Sequence, residues 1–145
     1  MAFVAKKTDL SVAVVGLGHW GKNLVRNFHQ LDVLQAVCDV NLSAAKSFAD
    51  EYQVSCLTWD KILADQSIEA VAIAVPAVHH TQFVKEALLA DKHVFVEKPI
   101  TLNILEAKEL NLIAQQRNKI LMVGHLLQYH PAFIKLDRKS TRLNS

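Results

Sequence analysis

The stretch that most constrains this chain is Val12 to Gly21, VAVVGLGHWG. Val12 to Val15 is a short apolar run dominated by valine, which suits a strand buried on both faces of a parallel sheet. Gly16, Gly18 and Gly21 follow at G-x-G-x-x-G spacing. Beyond them Trp20, Leu24, Phe28 and Leu31 recur at helical intervals, which predicts an amphipathic helix. Strand, glycine turn and helix in that order form the context in which this spacing binds a dinucleotide. Gly16 permits the tight turn, Gly18 lets backbone approach a pyrophosphate, and Gly21 allows the helix to pack against the strand. The first-turn N–H groups and the helix dipole then favour the phosphates. Leu17, His19 and Trp20 fall inside the loop and are expected beside the pyrophosphate; Trp20 could equally belong to the helix core. Three of only four glycines lie in this motif, so the spacing does not come from general glycine richness.

A second signal depends on the first. Asp39 ends the next strand-like run, Val33 to Cys38, close to the roughly 20-residue distance that the fingerprint requires. Its carboxylate can accept hydrogen bonds from ribose hydroxyls and would repel a 2′-phosphate. No arginine follows it closely, so NAD is expected over NADP. A solvated turn aspartate would look the same in isolation.

Strand-like and helix-like segments alternate throughout. Leu34 to Cys38 reads as strand two. Asn41 caps a helix to about Tyr52, with Leu42, Ala45, Phe48 and Ala49 on its inner face. A weak strand is expected near Val54 to Leu57, then one or two helical turns from Trp59 to Ala64. Ala70 to Val75 is a buried strand that stops at Pro76, and a helix runs from about His80 to Ala90. His93 to Val96 is strand five and leads into Glu97-Lys98-Pro99. Asn103 with Glu106 resembles a capping box opening a helix to about Arg117. Ile120 to Val123 is strand six. Repeated βα units imply an α/β fold: a Rossmann-like, doubly wound parallel sheet with helices on both faces. Ligands of such sheets lie outside the carboxyl ends of the strands.

Composition removes other classes. The chain has 145 residues, one domain by length, with 51% hydrophobic and 21% charged residues, enough for a buried core. The formal net charge is +2, and no dense basic block precedes the last few residues, so no nucleic-acid partner is expected. Cys38 and Cys56 have neither disulfide-framework nor metal-site spacing. The N-terminus lacks the apolar core of a signal peptide, and the longest apolar run, Ala70 to Val78, is too short for a bilayer. No membrane role is expected, and the cytoplasm is the expected location. His79, His80, His125 and His130 cluster near strand ends, but without H-E-x-x-H spacing or a placed acidic partner, so no metal is expected.

Glu97, Lys98 and Pro99 follow strand five directly. A lysine beside a cationic nicotinamide would have a lowered pKa and could exchange a proton with a substrate hydroxyl. By residue type alone, a Glu-Lys pair in a loop is usually a solvated surface feature. A glycine loop with an acidic end to strand two also occurs in methyltransferases.

VAVVGLGHWG, Asp39, VPAVHH and VFVEKPIT together resemble the N-terminal half of the Gfo/Idh/MocA oxidoreductase family, over about residues 9 to 136. The resemblance implies that Lys98 contacts the reacting hydroxyl as acid–base group and that Glu97 lies by the nicotinamide ribose. It implies that the Lys98–Pro99 bond is often cis. It places Val75, Pro76 and His80 at the nicotinamide-side wall, and His125, Tyr129 and His130 at a sugar pocket. GHLLQYHPAF and GHWGKNLVRNF are similar to bacterial nucleotide-sugar 3-dehydrogenases of the WlbA type. Those oxidise the C3 hydroxyl of UDP-N-acetylglucosaminuronic acid with NAD in surface-polysaccharide synthesis. A UDP-sugar is therefore the expected substrate class; other sugar or inositol dehydrogenases share most of the pattern.

Family members carry a second α/β domain that completes the active site and usually the homo-oligomer interface. No counterpart follows here, so the expectation is an NAD-binding domain over 1–136 and an unrelated, disordered tail over 137–145, DRKSTRLNS. A non-catalytic NAD-binding module is the alternative from another class.

Overall fold

The computed structural model describes residues 9–125, together with Pro131 and Ile134. The elements are β1 (Val12–Val15), α1 (His19–Gln30), β2 (Leu34–Cys38), α2 (Leu42–Tyr52), β3 (Ser55–Cys56), α3 (Trp59–Ala64), β4 (Ala70–Ile73), α4 (His80–Leu89), β5 (His93–Glu97), α5 (Ile104–Gln116) and β6 (Leu121–Gly124). The six strands form one sheet in the order β3-β2-β1-β4-β5-β6, and every pairing is parallel. The expected Rossmann-like α/β architecture is therefore present. Its topological switch point lies between β1 and β4, where chain order reverses across the sheet.

The four residues of β1 show why the central strands read as continuous apolar runs. Val12 and Val14 pack with Leu24 and Val25 of α1 and with Ala45 and Ala49 of α2. Ala13 and Val15 point the other way, into a core with Ile62, Val84, Leu88 and Leu110 of α3, α4 and α5. All four are buried, because helices cover both faces of the strand.

Three local expectations need correction. Trp20 and Leu31 are 48% and 66% exposed, so the buried side of α1 is Gly21, Leu24 and Val25. Leu42 is 59% exposed, and α2 buries only Ala45 and Ala49 fully. A helix of this kind needs only a narrow stripe inside, and both exposed residues at the first turns stand at the rim of a cleft. β4 ends at Ile73 rather than Val75. The Ala74 N–H still reaches the carbonyl of Val15, but β1 then turns away at Gly16, so its ladder with β4 stops.

The capping box is half made. Asn103 Oδ1 accepts from the Leu105 N–H at 2.8 Å, as an N-cap should. Glu106 does not complete the reciprocal bond; it accepts from Thr81 Oγ1 at 2.8 Å and ties α5 to α4. The Asn103 N–H donates instead to Thr101 Oγ1. A helix–helix contact thus took the side chain that the local motif would have used.

Candidate functional site

At the carboxyl ends of the strands the structure opens a cleft of about 990 Å³. Gly16, Gly18, His19, Trp20 and Asp39 line one part; Val75, Pro76, His80, Glu97 and Lys98 line another. The glycine turn and the Glu97-Lys98 pair thus open onto a single space, although about eighty positions separate them. The sheet order causes this: β1 and β4 are neighbours, and β5 lies beside β4.

The glycine turn is built by exclusion. Gly16 has φ +87°, and a Cβ there would come within 2.7 Å of the backbone of Ala74. A Cβ on Gly21 would stand 1.8 Å from the carbonyl oxygen of Gly16. The loop therefore folds tightly against β4, with α1 pressed onto it. Gly18 differs: nothing lies within 4 Å of its virtual Cβ, so the packing of the protein does not require glycine there. It borders the cleft, where a Cβ would take up space that a ligand could use.

The N-terminus of α1 carries no acidic residue in its first turn and no side-chain cap. Its unpaired N–H groups and positive dipole end are available to an anion. The next helix differs: α2 is capped by Asn41, whose Oδ1 accepts from the Ala44 N–H. The uncapped start at the fingerprint, unlike the capped start one unit later, suits a diphosphate.

Asp39 is held from both sides. Its Oδ2 accepts from the Leu17 N–H at 2.7 Å and its Oδ1 from the Asn41 N–H at 2.8 Å. Two bonds leave lone-pair capacity on both oxygens, so the oriented carboxylate can still accept from hydroxyls. Leu17 itself is buried and contributes its backbone. Burial pushes the neighbouring Cys38 thiol up to about 11, so it stays a neutral packing group at neutral pH.

At the other part of the cleft, Lys98 is exposed and Glu97 is buried. The Lys98–Pro99 peptide is cis. Desolvation raises the pKa of Glu97, opposed by its bond from the Lys98 backbone and by the charges of Lys98 and His80. Glu97 Oε1 has no hydrogen-bond partner among the described residues. Glu97 lines the cleft, and a buried oxygen left without a partner is the kind of atom that a bound group would satisfy. His80 is buried under the cleft with both ring nitrogens bonded to backbone carbonyls.

Several lining residues were not legible beforehand. Leu57, Thr58 and Trp59, just past β3, form a wall with Val40, Leu42 and Phe83. Trp59 packs on Phe83 at 4.8 Å between ring centroids and donates from Nε1 to Glu86 Oε2 at 2.6 Å. The general rule that ligands sit past strand ends pointed to this position, but β3 has only two residues and gave a faint signal. His125 is exposed just after β6 and does not line the cleft. Tyr129 and His130 lie outside the described residues. Among the described residues, no group of histidine, cysteine and carboxylate side chains could hold a metal ion, and no helix is long and apolar enough to cross a membrane.

Comparison with known proteins agrees with this geometry. UDP-N-acetylglucosamine 3-dehydrogenase from Acidithiobacillus ferrooxidans is 32% identical over 124 residues, which is 85% of this chain and 39% of that protein. Its solved structure superposes with a TM-score of 0.83 at 31% identity, over 90% of this chain and 43% of the other. GenD2 from gentamicin A biosynthesis, solved in complex with NAD, gives a TM-score of 0.83 at 29% identity, over 87% and 37% of the two chains. The chain thus spans about two fifths of the relatives it matches. Residues 10–125 match the profile described as "Oxidoreductase family, NAD-binding Rossmann fold". With that match over most of its length, the chain belongs to the Gfo/Idh/MocA family of oxidoreductases and carries its NAD-binding Rossmann domain.

Proposed function

We propose that this domain serves an NAD-dependent dehydrogenase of sugars or nucleotide sugars, with Lys98 as the acid–base group. The observation that carries the reading is the single cleft that contains both the glycine turn and the Glu97-Lys98 pair. When bound, NAD supplies the hydride acceptor. The chain's own residues do the rest. First-turn N–H groups of α1 and the open face at Gly18 bind the diphosphate. Asp39 accepts from the adenosine ribose and repels a 2′-phosphate, which favours NAD over NADP. Glu97 Oε1 accepts from the nicotinamide ribose. Lys98 takes the proton of the substrate hydroxyl while the neighbouring carbon loses hydride.

The likeness to a UDP-N-acetylglucosamine 3-dehydrogenase supports a UDP-sugar as substrate and C3 as the oxidised position. His125, Tyr129 and His130 would contribute to its pocket. Surface-polysaccharide synthesis, a cytoplasmic location and a homo-oligomer belong to the same reading. A scyllo-inositol 2-dehydrogenase that uses NAD(+), 31% identical over 133 residues, keeps cyclic polyols as the rival substrate class.

Calorimetric titration of the 145-residue chain with NAD and NADP is the first test. Binding of NAD, weakened at least tenfold by Asp39→Ala, is the expected result; no binding of NAD sinks the reading. The second test is NADH formation with UDP-N-acetylglucosamine or scyllo-inositol, compared between Lys98 and Lys98→Met in the same protein. Equal turnover would remove Lys98 from the mechanism.

A further inference from the structure

His80 opens α4 and is 1% exposed. Its Nδ1 lies 2.6 Å from the carbonyl oxygen of Pro99, and its Nε2 lies 2.8 Å from the carbonyl oxygen of Val75. Both partners are backbone carbonyls, which only accept hydrogen bonds. A neutral imidazole has one N–H and one lone pair. It would satisfy one carbonyl and set its lone pair against the other. Only the ring protonated on both nitrogens donates to both.

The two carbonyls belong to different segments of the cleft. Val75 lies in the loop that leaves β4, and Pro99 follows Lys98 directly. β4 and β5 pair in parallel, but their ladder ends at Ile73 opposite Val96. Beyond that pair the ladder gives no further link, and the ring of His80 bridges the two segments. The charged and titratable groups around it are Glu97 at the end of β5, Lys98 in the following loop, His79 beside it in sequence, and Glu106 of α5, which is bonded to Thr81. His80 and Glu97 both line the same cleft.

We propose that His80 is a positioning residue: a doubly protonated strut that ties the Lys98-Pro99 segment to the Val75 loop and fixes where the Lys98 ammonium stands in the cleft. The strut rests on the hydrogen-bond geometry. Only its consequence for chemistry rests on the NAD-dependent reading above.

The test uses the full 145-residue chain. Nitrogen-15 NMR of the His80 ring at neutral pH is expected to show protons on both nitrogens. A single neutral tautomer would overturn the proposal. Amide hydrogen exchange then compares wild type with His80→Phe, which keeps an aromatic ring without donors, and His80→Gln, which keeps an amide donor. Exchange at the amides of Val75, Lys98, Ile100 and Thr101 should speed up at least tenfold in His80→Phe, with part of the protection restored in His80→Gln. Amides of α1 should not change. A folded His80→Phe with wild-type protection in both segments would refute the strut. If His80→Phe does not fold, the ring state of the wild type decides alone. NAD affinity should fall at least threefold in His80→Phe. A wild-type chain that binds no NAD would remove the cofactor reading and leave the ring measurement standing.

Discussion

At the glycine turn, a Cβ on Gly21 would stand 1.8 Å from the Gly16 carbonyl; at the Glu97 end of the same cleft, a Cβ on Gly124 would come 3.2 Å from the Glu97 carboxylate. The first region is shaped by side chains that are missing from one short stretch of sequence. The second is shaped by side chains that arrive from separate elements: Glu97 from β5, His80 from α4, and the gap at Gly124 from β6. One end is therefore set by local spacing and steric exclusion. The other depends on which strands lie side by side. The lesson is that the turn draws its shape mostly from one stretch of sequence braced by β4, whereas the Glu97 end exists only when the sheet is assembled.

The sharpest way to break this contrast is Gly21→Ala. Its Cβ would collide with backbone, which cannot rotate away. Overpacking of this kind is expected to cost about 3 kcal/mol or more, measured by urea unfolding. Stability equal to wild type would show that the turn is not held by exclusion.

A control outside both ends is Lys92→Met. Lys92 is buried, and its Nζ donates to the carbonyls of Asp65 and Ile68, which support the start of β5. Losing both bonds, with the buried Ile68 carbonyl left without its donor and the Asp65 carbonyl keeping only the Ile68 N–H, should cost about 2 kcal/mol, with NAD affinity unchanged in the folded protein. A large loss of affinity would mean that the loop before β4 also shapes the cleft.

Gly18→Ala separates binding from folding. With nothing within 4 Å of the added methyl, stability should stay within about 0.5 kcal/mol of wild type. Affinity for NAD should drop about tenfold, or about 1.4 kcal/mol, by calorimetry. An unchanged affinity would mean that the diphosphate does not approach Gly18.

The smallest effect is at Glu97→Gln. Burial raises the folded-state pKa of Glu97 above its ordinary 4.5, so the folded protein holds this proton more tightly than the unfolded chain. Stability from this group is present below pH 4.5 and lost as pH rises through the folded pKa. The glutamine variant should lack that decline, so the difference between the two unfolding free energies should grow with pH just above 4.5. Parallel curves would show that the carboxyl is not desolvated.

Most of the fold was readable because buried parallel strands leave continuous apolar runs. Val12–Val15, Leu34–Cys38 and His93–Glu97 fall close to where composition placed them. Asn41 acts as the cap that its position suggested. Glu106 shows why such reading fails: the capping motif is local, but Thr81 on a neighbouring helix competed for the same carboxylate and holds it. Trp20 shows the same limit in another form. The sequence left two places open to it, the inner stripe of the helix or the side of the loop, and only the folded chain shows it 48% exposed beside the cleft.

What the sequence determined by itself is the glycine turn, its strand and its helix. The positive φ of Gly16 and the clash between Gly21 and the Gly16 carbonyl act within a few residues, whereas the close approach of Gly16 to Ala74 needs β4 in place. Family membership was also legible, since it resides in ordered motifs. Only the tertiary structure decided that Glu97 would be buried with an oxygen unpartnered among the described residues, and that His80 would face two carbonyls. Both depend on contacts between strands and helices far apart in sequence, and burial and hydrogen-bond pairing are properties of the assembled sheet.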